Sequence, residues 1–499
     1  MNIYSWVRQN SKTSPDKPAI VFDNDCLSYL QFCQRIDYLS SYLIEHCKLK
    51  KGDRIIWLGL NHPNALALLF ACAKLGLIFL PLNWRLALPE QEYIIINSGA
   101  AVLFTDGEFE QRVCELSILL PSIDYIRTNS LTSTKELDSL VGTELDAYIA
   151  EAEDLPLLLV YTSGTTGRPK GAILTHTALL TNALMSIDMH DMHNNDRVLG
   201  VLPIFHVGGL NIQVTPAIFI GACVVLRRRY EPNDFLVSMK RYHPSLVVMV
   251  PATIQALLAS KSLQDDSLSS LRCMTTGSSI VPRHLITAVE RLGVPVIQVY
   301  GSTETCPIAV YQRFKDVSRN PAATGHIGKY CELRIVDNDM NILESGMSGE
   351  ILIRGANVMQ GYWQDEIFTQ KSFHDGWFRT GDIGKMLLDG NLIIIDRSKD
   401  MIISGGENIY PAEIERILYS LPEVAEVAVV GKPSKKWGEI PVAFVRCFSD
   451  LTIQQLAQQC GSELARFKQP KEFILVTDFP RNSLGKIQKF ILRRQFMDG

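Results

Sequence analysis

Residues 157–171, LLLVYTSGTTGRPKG, are the stretch that decides the fold class of this chain. The apolar run Leu157–Val160 indicates a buried strand, and it leads directly into the polar segment Tyr161–Gly171. From Tyr161 on, the segment contains three glycines, four Ser or Thr hydroxyls and two cations, Arg168 and Lys170. Glycine lets backbone N–H groups approach phosphate oxygens closely, and hydroxyls and cations add donors and charge. The stretch predicts a strand that opens into a phosphate-binding loop, although it lacks the Walker A spacing GxxxxGK[ST].

Further motifs follow this loop along the chain. They are PIFHVGG (203–209), YGSTE (300–304), GWFRTGD (376–382), DRSKD (396–400), GGENIYPAE (405–413) and PRNSLGK (480–486). Together with the loop, these motifs resemble the signature of the acyl-adenylate-forming superfamily, which includes acyl-CoA synthetases, luciferases and peptide-synthetase adenylation domains. Their order and rough spacing match the family over nearly the whole chain.

The composition narrows the class of protein. With 499 residues, 46% of them hydrophobic, the chain can bury a large core and exceeds one ordinary domain. A net charge of −4 gives no basic surface for nucleic acid. Eleven cysteines without a CxxC pair favour reduced thiols in a cytoplasmic protein over a zinc site. The N-terminus lacks an apolar signal core, so we expect a soluble protein.

An alternation of helix and strand patterns predicts an α/β fold for the first four hundred residues. The longest apolar stretch, Ala65–Leu82, is interrupted by Lys74, Gly76 and Pro81. It therefore predicts a buried helix followed by a strand rather than a membrane span, and only peripheral membrane contact remains open. The predicted strands are 53–60, 77–80, 222–226 and 246–250, and the predicted helices include 63–74 and 232–242.

The pattern changes from about Gly325. Closely spaced strands at 333–336, 349–353 and 391–395 predict a small β-rich subdomain. A self-contained α+β segment follows, with predicted helices at 411–421 and 453–464 and strands at 424–431, 442–447 and 473–476. We therefore predict a large N-terminal AMP-binding domain, 1–395, and a small mobile C-terminal domain, 396–499. The resemblance places the hinge at Asp396.

The resemblance implies that the chain joins a carboxylic acid to AMP. The acid attacks the α-phosphorus of ATP and pyrophosphate leaves, so the site needs cations, backbone donors and Mg²⁺. Glu304, at a strand end, is the expected magnesium ligand, because Mg²⁺ prefers oxygen donors. The loop residues expected to hold the departing phosphates are Thr162, Ser163, Gly164, Thr165, Thr166, Gly167 and Lys170.

The same resemblance assigns residues to the nucleoside. Tyr300 packs on adenine, Gly301 adjoins it, and Thr303 lies near the α-phosphate. Asp382 accepts hydrogen bonds from the ribose hydroxyls, and Arg397 reaches the ribose or the phosphates. The small-residue turn Gly277, Ser278 and Ser279 is expected to lie against adenine, with a helix N-cap as the alternative.

Two further residues complete the predicted catalytic set. His206 is expected to position the acid or shield the acyl-adenylate, with Gly208 and Gly209 leaving room for the acyl group. Lys486, from the small domain, is expected to neutralise the two anions during adenylation, which requires domain closure. The catalytic residues are then Lys486, His206, Glu304 and Thr162.

A second half-reaction is implied, in which the small domain rotates and a thiol attacks the acyl group. In that state Gly405, Gly406 and Asn408 are expected to line a channel for the pantetheine arm of CoA, and Lys399 is expected to support this second conformation. The run Arg227–Arg229 could meet CoA phosphates or an acidic surface, although a solvated loop is the more common role for such a run.

The leading function is an ATP-dependent acid–CoA ligase with Mg²⁺ that releases AMP and pyrophosphate. One alternative is transfer to a separate carrier protein; no carrier domain follows Gly499, which favours CoA. A luciferase-like oxygenase and an inactive scaffold are weaker alternatives, the latter because Glu304 and Lys486 are present. Apolar residues around 206–213, 274–277 and 300–309 favour a fatty or aryl acid. Asn211 and Gln213 leave a polar end group open, including a succinylbenzoate-type dicarboxylate, and a homodimer also remains open.

Overall fold

The computed structural model describes residues 2–128, 154–162, 168–277, 281–316, 324–397, 400–404, 407–449, 451–466, 468–481 and 486–496. For Glu407 and Asn408 it describes the backbone alone.

The chain divides into two compact units. The first comprises Met1–Ser278, Leu285–Glu332 and Ile353–Phe378, and the second comprises Ser279–His284, Leu333–Leu352 and Arg379–Gly499. This division groups part of the β-rich segment with the C-terminal residues. The predicted boundary between residues 395 and 396 is a hinge, which is defined by motion. A division by contacts in one conformation does not test it, so this boundary stays a prediction.

The first unit contains two sheets with parallel centres. In the larger, the described strands have the order β15-β14-β13-β12-β11-β9-β10-β1-β2, and β13, β12, β11, β9, β10 and β1 run parallel. Its strands are β1 (Pro18–Phe22), β2 (Asp25–Ser28), β9 (Arg197–Gly200), β10 (Cys223–Leu226), β11 (Leu246–Met249), β12 (Cys273–Gly277), β13 (Val296–Tyr300), β14 (Val310–Tyr311) and β15 (His326–Ile327).

The second sheet of this unit has the described strand order β18-β8-β7-β4-β3-β5-β6. Strands β7, β4, β3, β5 and β6 run parallel, whereas β8 returns antiparallel to β7. Its strands are β3 (Arg54–Leu58), β4 (Ile78–Pro81), β5 (Val102–Thr105), β6 (Asp124–Arg127), β7 (Pro156–Thr162), β8 (Lys170–Thr175) and β18 (Gly361–Tyr362).

Helices connect these strands, as the α/β prediction requires. Their bounds are Tyr4–Thr13, Tyr29–Glu45, Pro63–Leu75, Leu88–Ser98, Glu110–Leu119, His176–His190, Val207–Asn211, Val214–Ile220, Pro232–Tyr242, Pro251–Leu258, Arg283–Arg291 and Glu366–Ser372, with 3₁₀ turns at Thr303–Thr305 and Phe314–Asp316.

The helix Pro63–Leu75 illustrates how the sequence sets these elements. Pro63 occupies its first turn, the His62 side chain accepts a hydrogen bond from the Asn64 N–H, and Gly76 ends the helix in a left-handed conformation. Each of its residues is buried, because it packs inside the unit rather than on the surface. The prediction of a buried helix followed by a strand is confirmed. In the described part of the chain, no helix is both long and apolar enough to cross a bilayer.

The predicted β-rich subdomain is a sheet with the described order β16-β17-β20-β19, with β21 also paired to β20. The division between the two units falls within these strands. They are β16 (Cys331–Val336), β17 (Ser348–Gly355), β19 (Phe373–His374), β20 (Trp377–Met386) and β21 (Leu392–Arg397).

The rest of the second unit is built around the long hairpin of β24 and β25. Val427 and Val429 on one face of β24 belong to one apolar cluster, while Ala428 and Val430 on the other face belong to a second. Both faces are buried, which explains the continuous apolar run of this strand. The elements are β22 (Ile402–Ser404), β23 (Glu407–Ile409), β24 (Val424–Ser434), β25 (Gly438–Cys447) and β26 (Glu472–Leu475), and helices Pro411–Leu418, Ile453–Glu463 and Lys489–Arg494.

Candidate active site

Several predicted site residues lie at the carboxyl ends of neighbouring parallel strands. Gly277 ends β12, and Tyr300 ends the adjacent strand β13. His206 follows β9, which joins this group through β11. In open α/β sheets, ligands bind beyond the carboxyl ends of the strands. The fold therefore brings these residues to the edge where a site is expected.

Glu304 lies in the 3₁₀ turn directly after β13, where its carboxylate faces the second sheet of the same unit. The Tyr362 hydroxyl donates a 2.8 Å hydrogen bond to Oε1 of Glu304. Among the residues that the structure describes, no donor contacts Oε2. Burial, followed by the charge of Glu304, raises the pKa of Tyr362 well above its usual value, so the phenol stays protonated. One carboxylate oxygen is thus held in place, while the other remains available for a cation.

The strands that flank the predicted phosphate loop form a hairpin. Thr162 at the end of β7 pairs with Lys170 at the start of β8. This register places the two loop ends side by side, as the strand–loop prediction requires. The predicted phosphate ligands Ser163, Gly164, Thr165, Thr166 and Gly167 lie outside the described residues.

Lys170 lies near Tyr362, the hydrogen-bond partner of Glu304. Its ammonium group stands over the ring of Phe368 and 5.9 Å from the centroid of Tyr362. Burial lowers the pKa of Lys170, and the nearby Asp365 carboxylate opposes this effect. A cavity of about 440 Å³ opens here, with Arg168, Lys170 and Lys371 as its cations. A positive cavity next to the phosphate loop suits a polyanion.

The predicted adenine residues are only partly described. The Tyr300 carbonyl accepts a 3.0 Å hydrogen bond from the Ala309 N–H, and Thr303 begins the 3₁₀ turn of Glu304. A Cβ on Gly277 would overlap the Val299 carbonyl, and one on Gly301 would overlap the Pro307 carbonyl. Both glycines are therefore already required by the packing of the chain itself. Ser278 and Ser279 lie outside the described residues.

His206 begins the short helix Val207–Asn211. Burial, with a smaller effect of Arg85, lowers the pKa of His206 to about 3, so the imidazole is neutral near pH 7. Its Nε2 is buried and has no hydrogen-bond partner in the described part of the chain. This state agrees with a role in positioning and not with proton donation as an imidazolium. The ring centroid of Phe205 lies 4.4 Å from that of the His206 imidazole. The Phe205 ring also packs edge-on against Trp84, which follows β4.

The two glycines after His206 have different surroundings. A Cβ on Gly209 would overlap the carbonyl oxygen of Pro203, whereas one on Gly208 would meet only the Cδ1 of Ile212, at 3.9 Å. Only Gly208 therefore fits the prediction that a missing side chain leaves room for an acyl group. Gly209 is needed for close packing of the chain.

The remaining predicted residues belong to the second unit. Asp382 and Arg397 are register partners on β20 and β21, and Arg397 Nε lies 3.2 Å from Asp382 Oδ1. The predicted ribose carboxylate is thus already oriented by the predicted cation. Lys486 is half-buried, directly after residues outside the described set. Lys399, Gly405 and Gly406 lie outside the described residues, as does the side chain of Asn408.

The three arginines Arg227–Arg229 each face carboxylates of the chain itself. Arg227 pairs with Asp234, at 2.7 Å from Nε to Oδ2. The two that follow also form ion pairs: Arg228 with Asp23 and Glu108, and Arg229 with Glu231. These contacts favour a structural role over CoA binding.

Sequence reasoning missed Tyr362 and Phe368. Both lie near Lys170, and Tyr362 pairs with β8 through the two-residue strand β18. The only sequence signal was the aromatic pair Tyr362–Trp363 after Gly361, which shows no periodicity. The contact itself is long-range, because Tyr362 lies 58 residues after Glu304 in the chain.

Comparison with known proteins places this geometry in context. The family model described as AMP-binding enzyme matches residues 7–363, and the model of the AMP-binding enzyme C-terminal domain matches residues 413–486. An indoleacetate–CoA ligase from Aromatoleum aromaticum is 41% identical over 100% of both chains. A feruloyl-CoA synthase from an Amycolatopsis species is 34% identical, covering 99% of this chain and 98% of that one.

Solved structures are also similar to this chain in fold and in sequence. The o-succinylbenzoate CoA synthetase of Bacillus subtilis, in complex with its acyl-adenylate intermediate, has a TM-score of 0.87 and 31% identity over 99% of this chain and 98% of that one. The same protein in complex with ATP and magnesium ion has a TM-score of 0.84 and 30% identity, covering 99% of both chains.

Proposed function

Because this chain belongs to the AMP-binding enzyme family, we propose that it is an ATP-dependent aryl acid–CoA ligase. It converts an aryl carboxylic acid, ATP and CoA into an aryl acyl-CoA, AMP and pyrophosphate through an acyl-adenylate. The observation that carries the choice of acid is full-length similarity to ligases named for indoleacetate and ferulate, at 41% and 34% identity. A fatty acid is the alternative, since the residues along the predicted pocket are largely apolar.

The first half-reaction uses residues of both units. Thr162, Lys170 and the loop between them bind the leaving phosphates, and Lys486 neutralises charge as the acid attacks. The Glu304 carboxylate would hold Mg²⁺, which fits the usual binding of this ion through few protein ligands. The bound ion would supply charge stabilisation to the phosphates. Tyr362 supports this role because its hydroxyl orients the Glu304 carboxylate.

Nucleoside binding is assigned to the remaining predicted residues. Tyr300 and the Gly277 turn hold adenine, and the Asp382–Arg397 pair holds the ribose. CoA is the proposed acyl acceptor, with Gly405, Gly406 and Asn408 along its path and Lys399 supporting the conformation in which the thiol attacks. A cytoplasmic location belongs to the same proposal, because the chain's eleven cysteines are free thiols.

Product analysis tests this proposal. The protein is incubated with ATP, Mg²⁺, CoA and a panel of aryl, fatty and dicarboxylic acids, and products are identified by mass spectrometry. We expect aryl acyl-CoA and AMP in equal amounts. A dominant fatty acyl-CoA would overturn the choice of acid, and acyl-AMP without thioester would replace CoA with a carrier protein. Absence of any adduct would contradict the ligase activity itself.

A further inference from the structure

A buried group of polar side chains lies at the end of the segment that begins with His206. Gln213 is 1% exposed and His190 and Thr275 are fully buried. The Gln213 Nε2 lies 2.9 Å from the His190 Nε2 and 3.4 Å from the Thr275 Oγ1. These residues come from three elements of the first unit, so the contacts fix the amide of Gln213 in one place.

The protonation state of His190 decides which way the Gln213 amide points. The His190 Nδ1 lies 2.8 Å from the Ser186 carbonyl and 3.2 Å from the Ser186 Oγ. The carbonyl can only accept, and the hydroxyl donates its proton to the Ile212 carbonyl, so we assign the proton to Nδ1. Burial lowers the pKa of His190 to about 4, which keeps the imidazole neutral near pH 7. Its Nε2 is therefore an acceptor, and Gln213 must present its NH₂ group to it.

This orientation leaves the Gln213 Oε1 without a donor. The oxygen is buried, and no described residue donates a hydrogen bond to it. A buried acceptor without a donor is costly, and such an atom in a predicted pocket points to a ligand. The neighbouring Asn211 differs, because its amide oxygen accepts from Thr215 and its NH₂ group faces the Cys306 sulfur.

A second unpaired atom lies on the same segment. The buried His206 Nε2 also lacks a partner in the described part of the chain, and the short helix Val207–Asn211 lies between residue 206 and residue 213 along the chain. Between them, Gly208 has no heavy atom nearer than 3.9 Å to the place where its Cβ would lie. Room for a further group therefore lies beside Gly208 on this segment. Side chains now cover Oε1, so contact requires a local side-chain movement as the acid binds.

We infer that Gln213 selects aryl acids whose ring carries a neutral N–H or O–H donor, which donates to the Gln213 Oε1. The inference rests on the proposed ligase function and adds the chemistry at the end of the acid remote from its carboxylate. A second carboxylate does not suit this position, because the donor that it needs, the Gln213 NH₂ group, is already used by His190 and Thr275. Dicarboxylic acids are therefore poor substrates.

Matched pairs of acids test this inference without altering the protein. Indole-3-acetate is compared with benzofuran-3-acetate, in which an oxygen replaces the ring N–H, and 4-hydroxycinnamate with 4-fluorocinnamate. We expect kcat/KM for the donor acid to exceed that of its analogue about 10- to 100-fold in at least one pair, because the analogue leaves Oε1 unpaired. Ratios within about threefold in both pairs would overturn the inference.

The variant Gln213→Met locates the effect. Methionine keeps the length of the side chain but lacks the amide, and Thr275 can still donate to the His190 Nε2. We expect the ratio to fall close to one because the donor acid is turned over more slowly while its analogue is not. An unchanged ratio would remove Gln213 from substrate selection. No acyl-CoA from any acid would contradict the proposed function instead, whereas equal turnover within each pair contradicts only the role of Gln213.

Discussion

At the scale of single residues, the hydroxyl of Tyr362 is the clearest support for the predicted magnesium carboxylate. Tyr362→Phe removes the donor to the Glu304 Oε1 and leaves the ring in place. We expect the Mg²⁺ concentration for half-maximal activity to rise about three- to tenfold, because the carboxylate loses a charge-assisted hydrogen bond. Pyrophosphate release measured across an Mg²⁺ titration gives this value.

Tyr311→Phe is the matched control for Tyr362→Phe. The Tyr311 hydroxyl donates a 2.7 Å hydrogen bond to the Asp188 Oδ2. Its loss therefore removes a similar hydrogen bond that does not involve Glu304. Both variants should lose about 1 kcal/mol of stability, but only Tyr362→Phe should change the Mg²⁺ dependence. An equal change in both, or in neither, would show that Tyr362 does not orient the magnesium ligand.

The site could be predicted from the sequence only where a residue and its surroundings are close along the chain. Glu304 was predicted because it follows a strand and a motif within a few residues. Its partner Tyr362 comes from a two-residue strand, too short to show periodicity, and the pairing depends on long-range sheet assembly. The orientation of Gln213 was also unpredictable, because it depends on a histidine tautomer in another helix.

At the scale of elements, the two glycines of the helix Val207–Asn211 differ in how closely the rest of the chain approaches them. Gly209→Ala places a methyl group against the carbonyl of Pro203, so the helix must move. We expect a loss of about 1–3 kcal/mol in stability and a loss of activity, since His206 begins this helix. Thermal unfolding and acyl-CoA formation measure both effects.

Gly208→Ala provides the contrast at the neighbouring position. Its Cβ would make one ordinary contact, with the Cδ1 of Ile212, and alanine favours a helix by about 0.5–1 kcal/mol over glycine. The variant should be at least as stable as the parent and should turn over bulky acids more slowly than small ones. A destabilisation equal to that of Gly209→Ala would contradict the difference in packing.

Most elements could be predicted because their signals are local. The helix Pro232–Tyr242 has the predicted bounds, with proline in its first turn and His243 ending it in a left-handed conformation. The hairpin of β24 and β25 extends beyond the predicted strands, to Ser434 and from Gly438. Lys432, Pro433 and Ser434 lack an apolar pattern, but they continue the register against Ile440, Glu439 and Gly438.

An ion pair between a half-buried lysine and a buried glutamate connects two helices of the second unit. Lys489 Nζ lies 2.7 Å from the Glu415 Oε1, which also accepts the Val429 N–H. Burial alone would lower the pKa of Lys489, but Glu415, Asp396 and Asp400 outweigh burial and raise it. Lys489→Met leaves the Glu415 carboxylate buried without a cation, which we expect to cost about 3–5 kcal/mol.

Hydrogen exchange of peptides from Val424–Cys447 measures this loss locally. Combining Lys489→Met with Glu415→Gln should restore most of the protection, because glutamine still accepts the Val429 N–H and carries no charge. If the double variant were as unprotected as the single one, the loss would come from packing and not from the unpaired carboxylate.

At the scale of the whole molecule, the proposed reaction depends on residues from both compact units. Thr162, Lys170 and Glu304 belong to the first unit, whereas Asp382, Arg397 and Lys486 belong to the second. Adenylation brings a carboxylate and a triphosphate together, so it requires the Lys486 charge more than thioester formation does. Attack by a thiol on the acyl-adenylate involves no second polyanion at the α-phosphorus. The two half-reactions should therefore respond differently to loss of this lysine.

Lys486→Ala should lower the rate of acyl-AMP formation by at least about 100-fold, the scale of one lost charge at a developing anion, while thioester formation from supplied acyl-AMP changes less than about fivefold. Single-turnover assays of each half-reaction measure the two rates separately. Lys468→Ala is the control, because Lys468 pairs with Glu413 in the same unit and has no proposed role with ATP. An equal loss in both half-reactions would mean that Lys486 serves a step common to both, and the proposed alternation of the small domain about Asp396 would lose its main kinetic consequence.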